Sequence, residues 1–194
     1  MGGLPSFRCQ ACQKIMYAIL LAAPTDAALI HELKMRAFAE EGRLSESMEI
    51  PPLAEEVSAI EMDICTQTVL TACDEGRIIG SARGIVAGPV CTIRAMCVEP
   101  SFQGQGIGAE LLRAVELAHP DVERFELTTN TLVPRNVAFY ERHGYQVAEL
   151  TRYTDKIVLA QMRKDGNTRD AYPSLERSAD GRPSGSSVRF AVKP

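Results

Sequence analysis

The stretch Val98-Glu99-Pro100-Ser101-Phe102-Gln103-Gly104-Gln105-Gly106-Ile107-Gly108 decides how this chain is read. Before it, Val90 to Val98 is a long strand-like run that Pro100 ends. After it, Ile107, Leu111, Leu112, Val115 and Ala118 recur at helical spacing, which predicts a helix over about 108–118. Between them lie three glycines in five positions. Glycine lets a backbone turn tightly and approach a ligand closely. The first N–H groups of a helix lack internal partners and, with the helix dipole, make an anion site. No Lys or Arg occurs from Ala95 to Leu112, so a phosphate here would be held by backbone amides.

Working outward, Tyr17 to Ala22 reads as a first strand. Pro24-Thr25-Asp26 starts a helix with Leu29, Ile30, Leu33 and Ala37 on one face, and Gly42 is its expected stop. Pro51-Pro52 opens a second helix over about 53–62, carrying Leu53, Val57 and Ile60. Thr68 to Cys73 and Arg77 to Val86 form a hairpin about Asp74-Glu75-Gly76, and Ala87-Gly88-Pro89 turns into the long strand. Downstream, Phe125 to Thr129 is a strand. Pro134 opens a helix that Gly144 closes, and Val147 to Tyr153 with Lys156 to Met162 make a final hairpin. The order is β-α-α-β-β-β-α-β-α-β-β. It predicts an α/β (α+β) fold with a mixed, mostly antiparallel central sheet and flanking helices.

Two phosphate-binding readings compete at the loop. Gly104, Gly106 and Ala109 satisfy the dinucleotide fingerprint G-x-G-x-x-G/A. That motif belongs directly after the first strand of a βαβ unit, with an acid at the end of the next strand. Here it follows an antiparallel meander, and Thr129 and Asn130 stand where the acid belongs. A triphosphate P-loop is excluded because the Gly-Lys-Ser/Thr ending is missing.

The second reading fits the context. Gln103, Gly106 and Gly108 match the pattern Arg/Gln-x-x-Gly-x-Gly/Ala, and the stretch resembles the acetyl-CoA loop of the GNAT family, the GCN5-related N-acetyltransferases. Asn136-Val137-Ala138-Phe139-Tyr140-Glu141-Arg142-His143-Gly144-Tyr145 resembles the family's second motif, with Ala138, Tyr140 and Gly144 keeping the helical spacing around Asn136. The resemblance covers about residues 15–163.

The resemblance implies an acetyl-CoA-dependent N-acetyltransferase. It would act on a primary amine of a small molecule or peptide, by direct attack in a ternary complex. The family's long strand splays from the next one to admit the acyl-pantetheine arm. Carried over, Met96, Cys97 and Val98 line the arm, and a backbone N–H polarises the thioester carbonyl. Gln103, Gly104, Gln105, Gly106, Ile107, Gly108 and Ala109 hold the pyrophosphate, and Asn136 hydrogen-bonds the pantetheine region. Tyr140 is the catalytic expectation: a protonated phenol can deliver its proton to the departing thiolate.

No general base is assigned. Where many relatives carry a Glu early in the long strand, this chain has Thr92, and Glu61, Asp63 and Glu99 read as solvated acids. Arg94 either meets an anionic substrate group or points to solvent. His143 reads as structural, near a helix C-terminus that favours its charge, and Phe139 as a packing residue. The alternative function is an acyl-CoA-binding module without turnover. The family also makes a homodimer a possible state.

Composition bounds the rest. The 194 residues hold 45% hydrophobics and 24% charged residues, ordinary for a globular chain. The net charge of −4 is uneven. Residues 1–14 and 164–194 each carry +2, leaving −8 for residues 15–163. That acidity argues against wrapping nucleic acid, and no apolar tract is long enough to span a membrane. Of the six cysteines, only Cys9 and Cys12 have ligand-like spacing, with no second pair to complete a zinc site, so no metal is expected. Cys65, Cys73, Cys91 and Cys97 read as small buried hydrophobes. Residues 1–14 lack the apolar core of a signal peptide, which leads to the expectation of a flexible extension on a cytoplasmic protein. Met1-Gly2-Gly3-Leu4-Pro5-Ser6 also fits the short myristoylation pattern. The Gly-, Ser- and Pro-rich residues 164–194 read as a disordered tail.

Overall fold

A computed structural model describes residues 16–46 and 51–166. The expectations for 1–14, for the Cys9/Cys12 pair and for most of the tail lie outside the described residues.

Seven strands form one sheet in the order β1-β2-β3-β4-β5-β7-β6. They are β1 Tyr17–Leu21, β2 Thr68–Asp74, β3 Arg77–Ala87, β4 Val90–Val98, β5 Arg124–Asn130, β6 Gln146–Arg152 and β7 Val158–Asp165. Every neighbouring pair is antiparallel except β4 and β5, which run parallel. Five helices flank the sheet: α1 Ala27–Leu44, α2 Pro51–Ala54, α3 Val57–Thr66, α4 Ile107–Ala118 and α5 Pro134–Arg142. The predicted mixed, mostly antiparallel sheet is the observed one.

The period-2 alternation of strands sends adjacent side chains to opposite faces. Val69 and Ile78 join Ala27, Ile30, Leu33 and Ile60 in the cluster under α1 and α3. Their neighbours Leu70 and Ile79 join Ile107, Leu111, Leu112 and Val115 in the larger cluster under α4. Helices therefore cover both faces, which is why β3 is buried almost throughout. Gly80 and Gly84 let α4 lie flat on β3: a Cβ would stand 2.9 Å from Leu111 Cδ1 at Gly80 and 2.9 Å from Val115 Cγ1 at Gly84.

Several boundaries differ from expectation. Gly42 does not stop α1; it is buried within the helix, which runs on to Leu44. Leu29 is exposed, although its neighbours Ile30 and Leu33 are buried. The expected single helix over 53–62 is two, α2 and α3, and Val57 is exposed. The chain is extended at Glu56 (φ −73°, ψ 153°), which turns Glu55 inward to buried cations. At the far end β7 continues to Asp165, past the expected start of the tail. Lys164 pairs with Glu116 at 2.8 Å, and Gly166 N–H donates to Glu123 O at 2.7 Å. Cys91 and Cys97 are buried as expected, whereas Cys73 is half-buried and Cys65 is exposed on α3.

Candidate active site

The parallel pair does not stay together. Its register runs from Val90↔Arg124 to Ile93↔Leu127 and then stops. Beyond that point β4 bulges. Ala95 sits at φ 50°, and the β3–β4 register shifts between Ser81 and Arg83. A bulge adds a residue, bends its strand and increases local twist. β4 thereby leaves β5, while β5 continues along β7 to Asn130.

The ladder pattern says which backbone groups this wedge exposes. Glu99 N–H donates to Ile79 O, and Cys97 pairs with Ser81. In an antiparallel ladder the bonding direction alternates. The polar backbone of Cys97 therefore serves β3, and that of Met96 and Val98 faces the wedge. Gln103 Nε2 donates to Val98 O at 3.0 Å, tying the glycine loop to the strand it follows.

A cleft of about 1000 Å³ opens here. Its cofactor-facing wall holds Met96, Cys97, Val98, Gln103, Gly104, Gly106, Ile107, Gly108 and Ala109, with Asn136 and Tyr140 from α5 opposite. Of the residues expected to bind cofactor, Gln105 does not line the cleft; its amide donates to Ser101 O instead. The Cys97 thiol packs under α1 and α3, where burial pushes its pKa up to about 12. Gly106 caps α4 at φ 87°, and a Cβ on Gly104 or Gly106 would meet nothing within 4 Å. The first turn of α4 thus faces open space with no side chain screening it. Phe139 packs on the α4 cluster, stands 4.5 Å from the His143 ring and lines the cleft with it; His143 Nδ1 contacts Phe139 O at 2.7 Å. Arg94 is exposed and lines the same cleft.

The Tyr140 phenol is pushed above its ordinary range by burial, reinforced by the charge of Glu41. It therefore stays protonated at neutral pH and able to donate. Glu41, near the end of α1, faces it and was not singled out from sequence. Burial raises the Glu41 carboxyl, and a hydrogen bond from the Asn130 side chain partly opposes that rise. Asn130 is only 3% exposed at the end of β5. Leu132 N–H donates to its Oδ1 at 3.0 Å, and its Nδ2 donates to Ser45 Oγ at 3.0 Å.

Two of the three acids expected to be solvated are ion-paired instead. Asp63 is not solvated but pairs with Arg83. Glu99 is 6% exposed and is bridged by Arg36 at 3.0 Å and Arg77 at 3.3 Å. Glu61 is exposed as expected. Arg83, 5% exposed, also meets Glu55 at 2.9 Å, and Lys34, 1% exposed, pairs with the same carboxylate. Burial alone would raise Glu55; the hydrogen bonds and charges of Arg83 and Lys34 outweigh it and hold the carboxyl low. This quartet ties α1, the α2–α3 junction, α3 and β3 into one floor beneath the acceptor end. Among the described residues, no group of three or more His, Cys, Asp or Glu could hold a metal ion, and no helix is long and apolar enough to cross a membrane.

The sheet is thus opened at its one parallel pair, with a glycine-capped helix beside the opening. Residues 66–147 match the family model for the acetyltransferase (GNAT) domain. Solved structures agree in fold. The PaiA N-acetyltransferase of Thermoplasma acidophilum, determined with coenzyme A, superimposes with TM-score 0.66 at 13% identity, over 78% of this chain and 99% of that one. The ribosomal-protein-S18-alanine N-acetyltransferase of Escherichia coli gives TM-score 0.59 at 20% identity, over 84% and 100%. A GNAT acetyltransferase of Streptococcus pneumoniae gives 0.63 at 18%, over 78% and 99%. No curated protein matches the sequence.

Proposed function

We propose that this protein transfers the acetyl group of acetyl-CoA to a primary amine of a small molecule or peptide. The attack is direct and takes place in a ternary complex. The observation that carries the reading is the wedge between β4 and β5 beside the N-terminus of α4. Backbone groups of Met96 and Val98 suit the amides of an extended pantetheine arm. Open space before Gly104 and Gly106 suits a pyrophosphate, held by N–H groups and the helix dipole. Gln103 secures the loop against β4, and Asn136 reaches the arm from α5.

The chemistry follows from these placements. A backbone N–H of β4 polarises the thioester carbonyl and gains most on the tetrahedral oxyanion. Tyr140, kept protonated by burial, gives its proton to the thiolate as the C–S bond breaks. The acceptor is proposed to be cationic, polyamine-like or lysine-like, because the −8 carried by residues 15–163 attracts it to the cleft. Arg94 and Arg142, which also line the cleft, argue the other way.

Thiol release from acetyl-CoA, followed over a panel of cationic, neutral and anionic amines, tests the reading. Cationic amines should be fastest at low salt and lose that lead as salt rises. Absence of release with every amine, with tight acetyl-CoA binding in calorimetry, would leave a binding module and defeat the enzyme.

A further inference from the structure

We propose that Glu41 is the general base of this reaction: near the end of α1 it lines the same cleft as Tyr140 and Asn130, no cation among the described residues pairs with it, and it takes the ammonium proton of the incoming amine. The proposal rests on the acetyltransferase reading above. Four acids line the acceptor end of the cleft: Glu40, Glu41, Glu55 and Asp63. Three are neutralised by cations. Glu40 pairs with Arg135 at 2.9 Å, Glu55 with Arg83 and Lys34, and Asp63 with Arg83. Among the described residues no Lys, Arg or His pairs with Glu41. The polar group that acts on it is the neutral amide of Asn130, which favours the carboxylate without the pull of a full charge.

The amide is itself locked. The Asn130 Oδ1 is occupied by Leu132 N–H, so the NH2 group must face the other way. One of its hydrogens goes to Ser45 Oγ, and the other is available to Glu41. Burial raises the Glu41 carboxyl, while burial and the Glu41 charge raise the Tyr140 phenol. An acid held protonated beside a carboxylate of increased basicity is a division of labour suited to moving one proton off and one on. The other charged groups at this end are the Glu40–Arg135 pair, the Glu46–Lys156 pair and the buried quartet, each internally compensated, while Arg94, Arg142 and His143 line the same cleft.

The protons balance as follows. The acceptor R–NH3⁺ gives one proton to Glu41, and the neutral nitrogen forms the C–N bond to the thioester carbon. As the C–S bond breaks, Tyr140 protonates the sulfur. The second N–H proton returns to the phenolate through water, and Glu41 releases its own to solvent.

Rates of Glu41→Gln, Asn130→Ala and wild type over pH 4–10, on a cationic amine, provide the test. Wild-type kcat/KM should be level through neutral pH. The variant should fall at least about 100-fold at pH 7 and climb tenfold per pH unit until the amine itself is deprotonated. Its acetyl-CoA Kd and thermal midpoint should be unchanged. Asn130→Ala, which removes a bond favouring the carboxylate, should move the acidic limb of the profile to higher pH. A Glu41→Gln rate within threefold of wild type at pH 7, or an acidic limb unmoved by Asn130→Ala, overturns the assignment while leaving the acetyltransferase intact. A wild-type chain that releases no thiol overturns both.

Discussion

Gly106→Ala separates what the glycine loop does for folding from what it does for a ligand. Gly106 sits at φ 87° with open space around a built Cβ, so the methyl group meets no protein atom. The folded chain then bears only the strain of a left-handed alanine, about 1–2 kcal/mol. For a body of this size that lowers Tm by about 2–8 °C. Gly76, in the β2–β3 turn at φ 82°, has the same open surroundings and does not line the cleft. Gly76→Ala should therefore show the same loss of Tm. Only Gly106 stands before the first turn of α4. Losing one amide bond to a charged oxygen there costs about 1.5–3 kcal/mol, or roughly 10- to 150-fold in Kd. Thermal unfolding with and without acetyl-CoA, and calorimetric titration of both variants, measure the two effects. If Gly106→Ala loses no more affinity than Gly76→Ala, the backbone amides of this loop do not hold the pyrophosphate.

Tyr140→Phe should lower kcat about 10²–10⁴-fold with acetyl-CoA affinity unchanged; wild-type turnover would remove the acid role. Lys34→Met leaves Glu55 one cation short in the buried quartet and should cost about 3 kcal/mol in urea unfolding; a loss under about 1 kcal/mol would show the pair to behave like a surface one. Because the Glu55 carboxyl is held below its ordinary value when folded, its stabilisation is present above about pH 4.3 and is lost as pH falls through the folded value. Glu55→Gln should accordingly match wild-type stability only in strong acid. Cys97 and Cys91, whose burial pushes their thiols up to about 12 and 11, should resist alkylation at pH 8 long after the exposed Cys65 has reacted, as peptide mass mapping would show.

The element order and the loop were legible because their signals are local. Strand alternation, helical spacing, Pro100, Pro134 and the glycines each act within a few residues. What was not legible depends on partners far along the chain. Asp63 and Glu99 look like solvated acids until Arg83 and Arg36, 20 and 63 residues away, are brought beside them. The break between α2 and α3 has the same origin: the helix gives way so that Glu55 can reach Arg83 and Lys34. Gly42 misled because glycine costs a helix only about 1 kcal/mol relative to alanine, and burial in α1 offsets that. Glu41 carries no local mark at all. Its character comes first from burial, which only the folded chain supplies, and then from the Asn130 amide on β5, which opposes the rise.

The wedge also resolves the conflict between an acidic body and an anionic co-substrate. Backbone N–H and C=O groups left unpaired are costly in a protein interior, so a fold tolerates them only where something else satisfies them. Parallel pairing ends after Ile93 and Leu127, and the bulge at Ala95 turns Met96 and Val98 toward the gap. The first turn of α4 adds further unpaired N–H groups a few residues on. All of these are dipoles fixed by the fold. They attract negative charge locally without adding to the net charge, so the outer surface stays acidic. On the proposed reading, a cationic amine would be drawn by the long-range field of the body, and a phosphate would be held by short-range dipoles at the other end of the same cleft. Lysines in the loop would have bound the phosphate as well, but they would have weakened the field that steers the amine.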